Sequence, residues 1–210
     1  LWGGQFTAGA KTATVITDNT FDFYNVLGSE ETLDEERSNN FVYTENVNAG
    51  YVSYQRPLKK KFSAMGGLRV EHTYSLGELT AMIPTNDDRV ERNYISFFPS
   101  AGLTWQANQK NSFRLNYSRR VDRPDYQHMN PFQYKLDELT YRQGNPFLNP
   151  QFTQSLQLTH TYKYTLNTTL SYSNTTDFLT DILDTTETSR AFQTTVNLAR
   201  QQVVSLNVSY

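Results

Sequence analysis

The chain has 210 residues, no cysteine, a formal net charge of −2 and 14% aromatic residues, with a polar mean hydropathy of −0.64. Without cysteine there is neither a disulfide scaffold nor a thiolate zinc site, and a near-neutral balance lacks the concentrated basic face that nucleic acid requires. No stretch approaches the roughly 18 apolar residues of a membrane helix, and no secretory signal precedes Leu1. Taken in chain order, segments 5–17 and 40–55 read as loosely patterned strands. Phe62, Ala64, Leu68 and Val70 then share one parity, as do Ile95, Phe97, Ala101, Leu103 and Trp105. In 112–118, Phe113, Leu115 and Tyr117 alternate with polar residues. In 155–164 the apolar row is Leu156, Leu158, His160, Tyr162 and Tyr164, and in 166–173 it is Leu166, Thr168, Leu170 and Tyr172. Residues 192–198 (Phe192, Thr194, Val196, Leu198) and 204–210 (Val204, Leu206, Val208, Tyr210) repeat the pattern. Side chains of a strand point alternately to its two faces, so each segment has one apolar and one polar side.

The connections decide between a soluble sandwich and a membrane wall. Nine strands are predicted, joined by links that are long at 18–39, short at 56–61, long at 76–91, short at 107–110, long at 122–152, short at 164–165, long at 184–189 and short at 200–202. Outer-membrane barrels alternate in this way, because inner turns are tight and outer loops long. A link as long as 122–152 is unusual inside a compact soluble domain. Trp105, Phe113, Tyr162 and Tyr164 sit beside short turns, where an aromatic girdle at the lipid–water boundary belongs. The Thr, Ser, Asn and Gln of the other face suit a hydrated or plugged lumen. The fold class expected is therefore all-β, an antiparallel up-and-down transmembrane β-barrel of which about nine strands are present. The alternative is a soluble β-protein with one wet face and an aromatic core. Leu1-Trp2 opens mid-pattern and Tyr210 stops mid-strand, so residues 1–210 read as a fragment of one barrel domain with the plug domain absent.

At 117–150 the sequence carries Tyr117-Ser118-Arg119-Arg120-Val121-Asp122-Arg123-Pro124, then Asn130-Pro131-Phe132, then Gly144-Asn145-Pro146-Phe147-Leu148-Asn149-Pro150. This series resembles the barrel portion of the TonB-dependent receptor-like outer-membrane proteins common in Bacteroidota. Phe98-Pro99-Ser100 and Gly67-Leu68-Arg69-Val70-Glu71 also resemble that family's strands, and the likeness runs from about residue 40 onward. It implies a barrel of about 22 strands around a plug, placed in the outer membrane and carrying a scarce nutrient or metal complex inward. It further implies contacts with outer-membrane lipid and lipopolysaccharide, the protein's own plug and an energy-coupling inner-membrane partner, and leaves open a surface lipoprotein as lid. No nucleic acid and no cofactor are expected. A structural or adhesive barrel without energised transport is the second reading.

Candidate ligand- or plug-contacting residues follow from parity and loop composition. Arg114 and Arg120 fall on the lumenal side of their strand, and Arg123 opens the long loop. Arg119 falls on the lipid side at headgroup height, where it can reach lipid phosphates. Arg120 and Arg123 have a second reading, in which Asp122 and Asp125 pair with them and order the loop. The 122–152 loop holds four of the seven prolines with Tyr126, Phe132, Tyr134, Tyr141 and Phe147. It is expected to be ordered, and either stacks a ring-bearing ligand or packs on itself. Glu30, Glu31, Asp34, Glu35 and Glu36, with Asp87 and Asp88, read as solvated outer-loop charge, since they match no calcium loop. His72, His128 and His160 have no paired spacing and no catalytic signature appears, so a binding protein is expected rather than an enzyme.

Overall fold

The computed structural model describes residues 3–35, 38–81, 88–136, 139–187 and 190–210; Glu36 and Asp87 of the acidic loops lie outside them. Long alternating segments become long strands. In order they are β1 (Gln5–Phe21), β2 (Tyr24–Leu27), β3 (Glu30–Leu33), β4 (Asn39–Lys59), β5 (Phe62–Ala81), β6 (Arg89–Gln106) and β7 (Asn111–Asp122). A one-turn helix α1 (Tyr126–Met129) follows, then β8 (Gln133–Lys135), β9 (Thr140–Gln143), β10 (Gln151–Tyr162), β11 (Leu166–Thr176), β12 (Leu179–Glu187), β13 (Arg190–Asn197) and β14 (Arg200–Ser209). Eight of them form one open sheet in the order β1-β4-β5-β6-β7-β10-β11-β14, every neighbour antiparallel.

This corrects the expected nine strands to eight in the wall. Residues 192–198 do not lie in it: β12 and β13 make a hairpin in the outer connection between β11 and β14, and join β9 and β8 in a separate four-stranded sheet. Residues 200–202 are accordingly the start of β14 and not an inner turn. Period-2 alternation reports that a strand has two unlike faces; it does not report which sheet the strand joins. With the hairpin assigned outside, long and short connections still alternate around all eight wall strands. The inner turns use local chemistry. Asn108 Oδ1 accepts from the N–H groups of Lys110 and Asn111 at 2.9 and 3.0 Å, and Lys163 and Tyr164 adopt φ of 50° and 62°, as tight hairpins demand.

Register turns the alternation into two chemically opposed surfaces. Ala64, Leu103, Leu115, Leu158, Leu170 and Leu206 line up across six adjacent strands, and the leucines remain 41–68% exposed with no second layer over them. On the opposite face the matching row is Thr104, Arg114, Thr159, Thr169 and Asn207, with Thr159 and Thr169 hydroxyls 3.2 Å apart. Uncovered leucine on one side and hydroxyl on the other is the arrangement of a wall between hydrocarbon and water. One row nearer the inner turns, Phe62, Trp105, Phe113 and His160 stack face to face across four strands, with centroids 5.9, 5.4 and 4.6 Å apart. Trp105 and Phe113 of the expected girdle are in this stack, with Phe62 and His160 as its other rings. Tyr162 and Tyr164 are not, since Tyr162 lies one row nearer the turn opposite Asn111 and Tyr164 is in the turn itself. Trp105→Ala removes two stacked pairs and is expected to lower the stability of the wall by about 1–3 kcal/mol. The temperature at which the folded band disappears in unboiled gel electrophoresis checks this, with Trp105→Phe retaining most of the stability.

The packed core is small and sits at the outer end. Phe41, Met129 and Leu148 form it, with Tyr43, Leu79 and Leu179 against them. It joins the outward extensions of β4 and β5 to the two long outer connections.

Candidate functional site

The 123–150 connection is shaped by asparagine. Asp125 caps α1, its carboxylate accepting from the His128 N–H at 3.0 Å and contacting His128 Nδ1 at 2.6 Å. The two Asn-Pro-Phe steps then make the same turn twice: Asn130 Oδ1 accepts from the Phe132 N–H at 3.1 Å, and Asn145 Oδ1 from the Phe147 N–H at 2.9 Å. An asparagine side chain reaching the amide two residues on, over a proline of fixed φ, is a self-contained turn. The Asn145 N–H donates to the His128 carbonyl at 2.6 Å and clamps the second turn on the first. β9 runs parallel to β13 with Tyr141 opposite Phe192, so both long outer connections become one cap.

Beneath this cap lies a cavity of about 280 Å³ bordered by Tyr126, Phe132, Tyr134, Leu136, Arg142 and Asn19. Phe21 at the end of β1 closes its aromatic side, 4.7 Å from the Phe132 ring and 5.0 Å from Tyr134, which themselves meet edge-on at 5.1 Å. Arg142 is exposed, donates to Gln193 Oε1 at 3.3 Å, and forms no ion pair among the described residues. Three aromatic rings, amide groups and a guanidinium with no carboxylate partner among the described residues suit a ligand with a planar or sugar ring and an anionic or hydroxyl-rich edge.

A second constellation holds the cap down. Arg123 donates through Nη2 to Glu71 at 2.6 Å and to the Thr73 hydroxyl at 3.0 Å, and its Nε lies 3.8 Å from Glu45. Glu71, 6% exposed, also accepts from Arg69 Nε at 2.6 Å. Burial draws the Arg123 pKa down, but the Glu71 hydrogen bond and the Tyr94 phenol oxygen oppose it, and the net shift is upward. The guanidinium stays charged.

The expected site residues therefore separate. Tyr126, Phe132 and Tyr134 converge on the cavity. Tyr141 does not: it is buried, its ring 5.8 Å from Phe192, where it joins the two halves of the cap. Arg123 pairs with the wall carboxylates Glu71 and Glu45, in place of the loop acids Asp122 and Asp125 expected for it, because the loop folds inward at its first residue. Arg120 is exposed on the inward face opposite Thr153 and forms no ion pair with either acid. Arg114 lies far below, bordering an open hollow with Gln55, Met65 and Asn116. Arg142, Phe21, Asn19 and Glu71 were not foreseen; the one available signal was Arg69 and Glu71 two apart on the polar face. The histidines stay apart: His72 bonds Asn93 at 2.7 Å, His128 lies within α1 against its cap Asp125, and His160 joins the girdle and bonds Asn111 at 2.9 Å.

Residues 1–210 match the outer membrane protein beta-barrel family. Among curated proteins no significant match exists. Solved structures resemble the chain in fold. One is a copper transporter, OprC, with 14% identity, 99% of this chain and 33% of that one covered, and a TM-score of 0.66. Another is a double mutant of the Serratia marcescens hemophore receptor HasR in complex with its hemophore HasA and heme, with 12% identity, 98% and 40% covered and a TM-score of 0.62. A third is the ferric-catecholate import receptor Fiu of E. coli K12 in a closed form, with 10% identity, 99% and 33% covered and a TM-score of 0.60. The chain spans a third to two fifths of the length of these structures.

Proposed function

The chain belongs to the outer membrane protein β-barrel family, and on that premise we propose that it forms one arc of a receptor that takes up a scarce nutrient or metal complex across the outer membrane. Its eight wall strands are part of a single larger barrel domain, closed around a plug and energised through an inner-membrane partner in the full-length protein. The observation that carries the receptor reading is the cavity beneath the cap: Tyr126, Phe132 and Tyr134 hold a ring of the ligand, and Arg142 takes its anionic or hydroxyl edge. Arg114 and Arg120 line the inward path as cations facing plug or ligand, while Arg123 and Tyr141 act by holding the cap in place. The chain binds and passes its ligand without covalent chemistry.

The test is genetic. A deletion strain is complemented with wild-type or Tyr134→Ala/Arg142→Ala full-length protein and grown on single nutrient or metal sources. Loss of growth on one source in the deletion strain, restored by wild type but with uptake reduced about tenfold in the double variant, supports the reading, because aromatic and arginine anchors dominate such sites. A deletion strain that grows normally on every source refutes uptake and favours the structural or adhesive barrel.

A further inference from the structure

The wall parts between β6 and β7. β6 pairs with β5 from Phe62↔Trp105 to Glu78↔Arg89, but with β7 only from Gln106↔Ser112 to Ser100↔Ser118. Pro99, with no N–H to offer a ladder, is the next residue after the last β6–β7 pair. Beyond it Arg119 to Asp122 continue against β10 alone. The 145–150 segment enters the wedge, where the Pro146 carbonyl accepts from Arg92 Nη2 at 2.9 Å. A slot of about 490 Å³ remains, and residues of both faces border it: Arg92 and Ser96 from the inward row, Ile95, Phe97, Arg119 and Phe152 from the outward one.

The slot lies at the outer edge of the apolar belt. Along β6 that belt runs from Trp105 to Ile95, about the ten residues a tilted strand needs to cross a bilayer. On the neighbouring strands the apolar row Tyr117, Leu156, Tyr172 and Val204 is succeeded outward by the polar row Arg119, Gln154, Asn174 and Gln202. The Arg119 guanidinium is fixed there, 4.5 Å over the Phe152 ring, with Nη1 donating to the Phe97 carbonyl at 2.8 Å. Those contacts leave most of its five N–H donors without a protein acceptor among the described residues. Neither Arg119 nor half-buried Arg92 has a carboxylate partner there. Asp177 is the single acid bordering the slot, so two cations face one anion. Beside them Ile95 and Phe97 stand 60% and 53% exposed.

We infer that this slot seats the phosphate-bearing head of an outer-leaflet lipid, with Arg119 and Arg92 on the phosphate and the acyl chains along Ile95 and Phe97. Guanidinium matches phosphate with paired donors, and a free phosphate would leave the apolar ledge uncovered. The lipid spans the place where the ladder lapses and braces the parted strands. The site is independent of what the cap cavity binds.

The test is native mass spectrometry of the full-length receptor in detergent with phosphorylated lipid A, its dephosphorylated form, or inorganic phosphate. Phosphorylated lipid A is expected to bind wild type, and R119Q to weaken it about tenfold, while R56Q, on the same outward face at the inner rim, leaves it unchanged. Equal binding by R119Q, equal binding of the dephosphorylated lipid, or full displacement of the lipid by equimolar inorganic phosphate overturns the assignment. Should R119Q not fold, a photoreactive residue in place of Phe97 asks the same question in cells. A cross-linked phosphorylated lipid supports the seat and its absence refutes it.

Discussion

Gly144→Ala is expected to abolish the ligand uptake proposed above while leaving the barrel wall folded. A Cβ at Gly144 would collide with the Asn130 carbonyl oxygen and come within 2.8 Å of the His128 carbonyl. Both obstacles are backbone, so no rotamer change relieves them. The α1–Asn130 turn must move away, which breaks the 2.6 Å bond from the Asn145 N–H to the His128 carbonyl that clamps the two Asn-Pro-Phe turns together. The clash costs about 1–3 kcal/mol and the lost hydrogen bond about 1 kcal/mol more, concentrated in a cap with little core of its own. Because Gly144, Asn130 and Phe132 border one cavity, its shape is lost with the clamp. Hydrogen exchange in 125–150 should rise sharply while the eight wall strands keep their protection. Gly66→Ala is the control, since its Cβ would meet nothing within 4 Å. Unchanged exchange and uptake in Gly144→Ala would show that the cap does not depend on this contact.

Arg123→Ala should loosen the same cap from the other side. It strips Glu71 of its 2.6 Å partner while that carboxylate stays buried. Breaking a buried pair by removing one member costs roughly 3–5 kcal/mol, and the low end applies because Arg69 still bonds Glu71. Arg123→Lys keeps the charge but lacks the fork that reaches Glu71 and Thr73 together, and should recover only part of the loss. A cycle with Glu71→Gln isolates the pair, because the two changes are coupled through one contact. The readout is protease cleavage within 123–150 at native temperature, faster in Arg123→Ala and unaltered in Arg120→Ala, whose side chain is exposed and unpaired among the described residues. Equal cleavage of both variants would mean that the cap is anchored elsewhere, with the Phe41–Met129–Leu148 cluster the next candidate.

Either variant separates the wall from the cap, and the two were not equally legible. The wall could be read because alternation is enforced residue by residue. Leu115 and Arg114 must face opposite solvents, and a slip of one position would put every arginine of the inward row into hydrocarbon. Trp105 and Phe113 could be placed in a girdle for the same reason. The cap obeys no such rule. Nothing local to Arg123 indicates that its carboxylate comes from β5, when Asp122 and Asp125 lie within two residues of it in sequence. Tyr134 and Tyr141 lie in one aromatic loop, yet one borders the cavity and the other is buried against Phe192.

Sequence by itself thus determined a two-faced antiparallel wall, tight at one rim and long-looped at the other, since a period of two and the polarity of two solvents leave little choice. Tertiary structure alone decided that 192–198 belongs to the cap, that Glu71 anchors Arg123, and that the wall parts beyond Pro99. These depend on contacts between segments distant along the chain, where loop closure adds only a slowly growing cost with length and packing selects the partner.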